Sequence, residues 1–152
     1  MRGYTLAAMS ELATYPPVSR DEIPGLLHGH GITPTQQRVE IAAILLECRQ
    51  HLSADQVIAR LGEADASVSK ATVYNTLGLF ARRGLVREVM VDATRVFYDS
   101  NTAPHHHFFD VDDGELTDFP SDAVKIEGLP ALPPGTVADS VEVVIRVRKP
   151  NR

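Results

Sequence analysis

Ser69-Lys70-Ala71-Thr72-Val73-Tyr74-Asn75-Thr76-Leu77-Gly78-Leu79-Phe80-Ala81-Arg82-Arg83-Gly84 is the stretch on which the fold turns. Ser69 can cap a helix and Gly84 can end it. Val73, Leu77 and Phe80 recur at helical spacing and must face a core. Lys70, Thr72, Tyr74, Asn75 and Arg82 are left on other faces. Directly afterwards Leu85 to Val91 and Arg95 to Tyr98 alternate as strands around Asp92-Ala93-Thr94, a hairpin pattern.

Upstream, Thr33-Pro34-Thr35-Gln36 reads as a helix start, with Thr33 as cap, Pro34 in the first turn and Gln36 completing a capping box. That helix is expected to run to about Arg49, with Val39, Ala42, Ala43, Leu46 and Cys48 turned inward. Ser53-Ala54-Asp55-Gln56 repeats the cap chemistry and opens a helix that Gly62 should stop. A short first helix is expected over 21–27. His28 and His30 fall in a Gly-rich segment read as surface loop. Helices closed by such a hairpin make a winged helix-turn-helix. The fold class expected is therefore α+β, with that domain followed by a small α/β dimerisation domain. The boundaries are a mobile arm over 1–20, the winged helix over 21–100, a hinge over 101–104 and a second domain over 105–152.

In the second domain, His107 to Val111 and Glu115 to Phe119 flank Asp113-Gly114 as another hairpin. Pro130, Pro133, Pro134 and Gly135 mark an irregular connection. Val141, Val143, Ile145 and Val147 alternate as a last strand, with Val144 on its other face.

With 43% hydrophobic and 23% charged residues, the 152-residue chain falls in the globular class. No apolar run approaches the roughly 20 residues of a membrane span, and the N-terminal stretch is too short in apolar residues for a secretory signal. No membrane association is expected. A cytoplasmic protein is, and the lone Cys48 agrees. A net charge of −5 speaks against nucleic acid until its distribution is considered. Residues 70–95 carry a net +3 and residues 104–152 a net −4. The local field governs contact with DNA, so the helix from Lys70 and its hairpin can still form a basic reading face.

On that face Ser69, Lys70 and Thr72 sit at a helix N-terminus, which favours phosphate. Tyr74 can meet a thymine methyl or a phosphate, and Asn75 can pair with adenine. Arg87 and Arg95 on the wing would meet the flanking backbone or the minor groove. A surface helix with a merely solvated polar side fits the same residues.

His105-His106-His107 follows the hinge. On a strand His105 and His107 share a face and His106 takes the other. Two imidazoles supply half of an ion's shell, and His51, Asp99, Asp110, Asp112, Asp113, Glu115 and Asp118 offer further donors. Such donors without thiolate suit Mn(II), Fe(II) or Zn(II). A ligand set drawn from both domains would let the ion fix their relative orientation.

These residues resemble the ferric uptake regulator (Fur) family. The matching stretches are Gly31 to Arg38, His51-Leu52-Ser53-Ala54-Asp55, Ala71 to Leu77 and the histidine run, over about residues 22 to 119. Within the family the chain is most similar to the iron response regulator (Irr) branch, on Val73 to Leu77, His105 to Phe109 and Val141 to Lys149. The resemblance implies a homodimeric transcription regulator, a repressor or an activator, binding AT-rich palindromic double-stranded DNA. Carried over by position, the interdomain metal site falls on His51, His105, His107, Asp118 and a wing-end residue. Strict spacing gives Tyr98 for the last, and the adjacent Asp99 is taken in its place. The branch also implies haem binding at His105, His106 and His107.

The departures are specific. The cysteine pairs that hold structural zinc are absent, so no four-cysteine zinc site is expected. Pro104 replaces a histidine of the family's second site. No room exists for a long helix between Pro120 and Pro133, and Cys48 precedes Arg49 rather than the proline of a haem motif. The expectation is a metal- or haem-responsive repressor and not an enzyme. The alternatives are a peroxide sensor using the same site, a small metallohydrolase built on His105 to Asp113, and a constitutive DNA-binding module.

Overall fold

The computed structural model describes residues 17–151. The expectation for residues 1–16 of the arm lies outside them. The chain is a mixed α+β protein that divides into two compact units, one up to Thr102 and one from Ala103 onward.

The first unit carries four α-helices, α1 (Ile23–Gly29), α2 (Gln36–Leu46), α3 (Ala54–Glu63) and α4 (Lys70–Arg82). A three-stranded antiparallel sheet of β1 (His51–Ser53), β2 (Arg87–Met90) and β3 (Val96–Asp99) accompanies them, in the order β1-β3-β2. Its core gathers Ile23, Leu27, Ile41, Leu45, Val57, Leu61, Val73, Leu77 and Phe80. Burying one such side chain contributes about 1.5–3 kcal/mol, so the spacing on α4 fixes which face turns away from solvent. At the end of α4 the Gly84 N–H donates to the Ala81 carbonyl and the Leu85 N–H to that of Phe80. This closure needs a left-handed residue, and Gly84 supplies it at φ +73°.

Several local expectations are corrected. Thr35, not Thr33, caps α2, accepting the Arg38 N–H at 3.3 Å. Pro34 disfavours helical geometry in the residue before it, and Thr35 is still extended, so the helix begins at Gln36. It ends at Leu46 rather than Arg49, leaving Cys48 exposed, and Ile41 and Leu45 take the buried face with Ala42 and Leu46. Gly62 lies within α3; the left-handed residue past its end is Asp65, at φ +55°. His28 stands in the last turn of α1 rather than in a loop. β1 was not expected at all, because three residues between helices carry no period.

The second unit holds no α-helix among the described residues, only a 3-10 turn at Ser121–Ala123. The α/β domain expected there is instead a three-stranded sheet in the order β5-β4-β6, from β4 (His105–Asp110), β5 (Leu116–Pro120) and β6 (Val144–Val147). β4 and β5 form an antiparallel hairpin and β6 lies parallel to β4. The Asp110 carboxylate organises the turn, accepting the N–H groups of Asp112 at 2.8 Å and Asp113 at 3.2 Å. The hairpin therefore begins at His105, two residues before its expected start, and the last strand is shorter than its valine alternation suggested. No helix among the described residues is long and apolar enough to cross a membrane.

Candidate metal centre

In the second unit the period-two geometry of β4 sorts the histidine run. His105 and His107 face one side with Asp118, which stands opposite His107 on β5. His105 Nε2 lies 3.4 Å and His107 Nε2 3.2 Å from the same oxygen, Asp118 Oδ1. All three histidines are buried. His106 takes the other face, where its Nδ1 accepts the Val143 N–H at 3.2 Å and its ring lies 5.4 Å from that of Phe119. No single haem iron can therefore be approached by all three imidazoles from one side.

The ring orientations carry chemical information. His105 Nδ1 lies 2.6 Å from the carbonyl oxygen of Ala103. A carbonyl can only accept, so this nitrogen holds the proton and the lone pair of the neutral ring is at Nε2. His107 is arranged in the same sense, with Nδ1 3.0 Å from Glu142 Oε1 and Nε2 toward Asp118. Two Nε2 atoms and a carboxylate oxygen converging within the second unit are donors of the type that hold a divalent ion.

In the first unit a second imidazole–carboxylate pair forms on neighbouring strands. His51 on β1 and Asp99 on β3 are register partners, with His51 Nε2 3.3 Å from Asp99 Oδ2. The other Asp99 oxygen accepts the Asn101 N–H at 2.8 Å. Tyr98, the alternative by spacing, is in the hydrophobic core, and burial raises its hydroxyl pKa. Asp99 is the wing-end residue that shares a face with His51.

The residues expected to read DNA lie on α4 and on the β2–β3 hairpin of the first unit. Ser69 caps α4, its Oγ accepting the Thr72 N–H at 3.2 Å, and Lys70 beside it is exposed. Tyr74 is 51% exposed and its hydroxyl donates to Asp55 at 3.2 Å. The Asp55 charge and that hydrogen bond raise the Tyr74 pKa, keeping the phenol protonated. Thr72 and Asn75 line a cleft of about 270 Å³ whose other wall is Thr35, Gln37 and Arg38 at the start of α2. Gln37 and Arg38 were not among the expected contacts, because their nearness to α4 is a packing result. Arg95 stands at the tip of the β2–β3 hairpin near Asp92. Arg87 is instead at its base, paired in register with Asp99, and so in one row with Asp99 and His51. The hairpin places its two arginines at opposite ends.

The sequence profile described as the ferric uptake regulator family matches residues 29–130. The chain belongs to the ferric uptake regulator family. It is 31% identical over 110 residues to the ferric uptake regulation protein of Brucella abortus, covering 72% of this chain and 78% of that one. It is 33% identical over 89 residues to the peroxide-responsive repressor PerR of Staphylococcus aureus, covering 59% of this chain and 60% of that one. Among solved structures, the ferric uptake regulator from Pseudomonas aeruginosa with manganese superposes with a TM-score of 0.64 at 28% identity, over 85% of this chain and 98% of that one. The ferric uptake regulator family comprises metal-responsive transcription regulators rather than hydrolases.

Sequence reasoning missed Glu142 and the Ala103 carbonyl. Glu142 joins the face of His105 and His107 through the parallel register of His107 with Val144, since residues two apart share a side. The alternation of Val141, Val143, Ile145 and Val147 with Glu142 and Val144 held that signal, but only a known partner strand gives it meaning.

Proposed function

We propose that this protein is a homodimeric, metal-responsive repressor of iron or related metal homeostasis. A winged helix-turn-helix over 21–100 reads an AT-rich palindrome, and residues 105–152 pair two copies across a hinge at 101–104. The reading rests above all on the convergence of His105 and His107 Nε2 on Asp118 Oδ1. The Pseudomonas aeruginosa neighbour solved with manganese supports a divalent ion as the effector. His51 and Asp99 of the first unit join His105, His107 and Asp118 as one ligand set in this reading. His105 stands six positions beyond Asp99, a chain span of at most about 22 Å. A divalent ion bound there supplies a tie between the units, and so a free-energy difference between their arrangements.

Fe(II), Mn(II) or Zn(II) fits the donors. The division of the histidine run between two faces favours an ion over haem, although the sequence resemblance to the iron response regulator branch makes haem the effector to compare. DNA contact falls to Ser69, Lys70, Thr72, Tyr74 and Asn75 on α4 and to Arg95 and Arg87 on the wing, at its tip and its base.

Fluorescence anisotropy on an AT-rich palindrome from the protein's own promoter, at fixed salt, tests the reading. Chelator-treated protein is compared with Mn(II)-, Fe(II)- and haem-loaded protein. An affinity change of about 5- to 150-fold with one divalent ion is expected, and His107→Ala should abolish it. Equal affinity in every state would overturn the sensor and leave a constitutive DNA-binding protein. A response to haem alone would overturn the choice of ion.

The likeness to the peroxide-responsive repressor favours one second reading. With Fe(II) among histidines and carboxylates, peroxide would add oxygen to a ligand histidine and release DNA. Mass spectrometry of the peroxide-treated, Fe(II)-loaded protein separates the two: an unmodified His51, His105 and His107 with DNA binding intact excludes peroxide sensing.

A further inference from the structure

We infer that Glu142 is a positioning residue for the metal centre, holding the Nδ1 proton of His107 so that Nε2 presents its lone pair beside that of His105. The inference rests on the ligand reading of His105 and His107 and adds to it a residue from a distant part of the chain. Glu142 Oε1 is 3.0 Å from His107 Nδ1, in ion-pair contact but off the line of an Nδ1–H hydrogen bond as the ring stands, and His107 Nε2 is 3.2 Å from Asp118. The imidazole is thus set between two carboxylates, one on each side of the ring.

The comparison with His105 gives this arrangement its meaning. There the acceptor behind the ring is a main-chain carbonyl, Ala103, at 2.6 Å. Both rings therefore turn Nδ1 to an oxygen acceptor and Nε2 to the same Asp118 oxygen. A ligating imidazole commonly donates its second N–H to a carboxylate or carbonyl, which fixes the tautomer and raises ligand basicity. His107 is completely buried, so an unsupported Nδ1–H would lose its water without compensation.

Glu142 stands two residues before β6 and is held by the residues that follow it. The Val143 carbonyl accepts the His107 N–H at 3.1 Å, the Val143 N–H donates to His106 Nδ1 at 3.2 Å, and His107 pairs in register with Val144. Residues 142–144 are thus fastened along the histidine strand by a main-chain bond to His107, by the His106 ring on one face and by Glu142 on the other. The C-terminal strand is built into the centre, and the conformation of residues beyond Pro133 feeds directly on the orientation of a ligand.

The test uses the full chain with Zn(II), which is diamagnetic, and two variants of similar size. Glu142→Gln keeps an oxygen acceptor for Nδ1–H, whereas Glu142→Met offers none of comparable strength. Zn(II) affinity is expected to fall about 10- to 100-fold in Glu142→Met, while Glu142→Gln stays near the wild type. In long-range proton–nitrogen spectra of the loaded protein, the His107 ring should show a protonated Nδ1 in the wild type and in Glu142→Gln. That proton should exchange away in Glu142→Met, with the Val143 amide signal unmoved. Equal affinity and an unchanged ring signal in Glu142→Met would overturn the inference alone. So would an equal loss in both variants, since charge and not proton acceptance would then be responsible. Failure of the wild type to bind Zn(II), Mn(II) or Fe(II) would overturn the sensor reading, and this role with it.

Discussion

The two units are built on opposite economies of burial. Seventeen apolar side chains, from Ile23 to Tyr98, close the core of the first. In the second, Phe109 and Phe119 are the buried apolar residues among those described, beside the three histidines. Exposure runs the other way. Tyr74 and Met90 are the large exposed hydrophobics of the first unit, whereas Ile126, Leu129, Leu132, Val137, Val141, Ile145 and Val147 are exposed in the second. A polar group is costly to bury unless it is partnered. The first unit thus rests on its own core, and the second commits its interior to imidazoles and leaves apolar side chains exposed.

The largest expected effect tests that contrast at the centre of the first unit. Phe80 is fully buried on α4, so Phe80→Ala should cost about 3–5 kcal/mol. Urea unfolding followed by far-ultraviolet circular dichroism should show the helical transition at lower denaturant. The ring signals of Phe108 and Phe119, which lie 4.6 Å apart in the second unit, should keep their own midpoint. A common shift of both would show that the units unfold as one and that the contrast is not energetic.

A smaller effect is expected at the cap of the same helix. Ser69→Ala removes the oxygen that receives the Thr72 N–H and should cost about 1 kcal/mol. Unlike Phe80→Ala, it acts on the face proposed to meet phosphate. It should weaken operator binding more than it lowers thermal stability, measured on the same sample by anisotropy and thermal unfolding. Unchanged operator affinity would remove the α4 N-terminus from the DNA contact.

The same contrast explains what was legible in the sequence. The first unit's helices follow from local signals: Ser53 with Gln56 and Ser69 with Thr72 form caps where expected, and Val73, Leu77 and Phe80 are all buried. Errors there are local too, as at Thr33 and Gly62, where a neighbouring proline or a tolerant glycine altered the boundary. In the second unit alternation alone sorted His105 and His107 from His106, because a period of two needs no partner. Glu142 could not be found that way. It is 35 residues from His107 in sequence, and its place depends on β6 choosing β4 in a parallel register. Arg87 shows the same limit: composition marks it as a basic wing residue, but its position opposite Asp99 is fixed only by strand pairing.

The smallest expected effect compares one device used in both units. Asp92 accepts the N–H and hydroxyl of Thr94 at 2.8 Å each in the first hairpin, and Asp110 accepts two backbone N–H groups in the second. These hydrogen bonds hold both carboxyls below the ordinary value of 3.8. A depressed pKa in the folded state means that each carboxylate's contribution is present above the unfolded value and is lost as pH falls through the folded one. The amide proton shifts of Thr94, and of Asp112 with Asp113, should therefore titrate with midpoints below 3.8, and Asp92→Asn or Asp110→Asn should remove the matching titration alone. If Asp92 titrates low while Asp110 titrates at the ordinary value, the second hairpin is not formed in the free chain. The contrast would then sharpen: the first unit would make its turns unaided, and the second would need its ion or its partner copy to order even a local hydrogen bond.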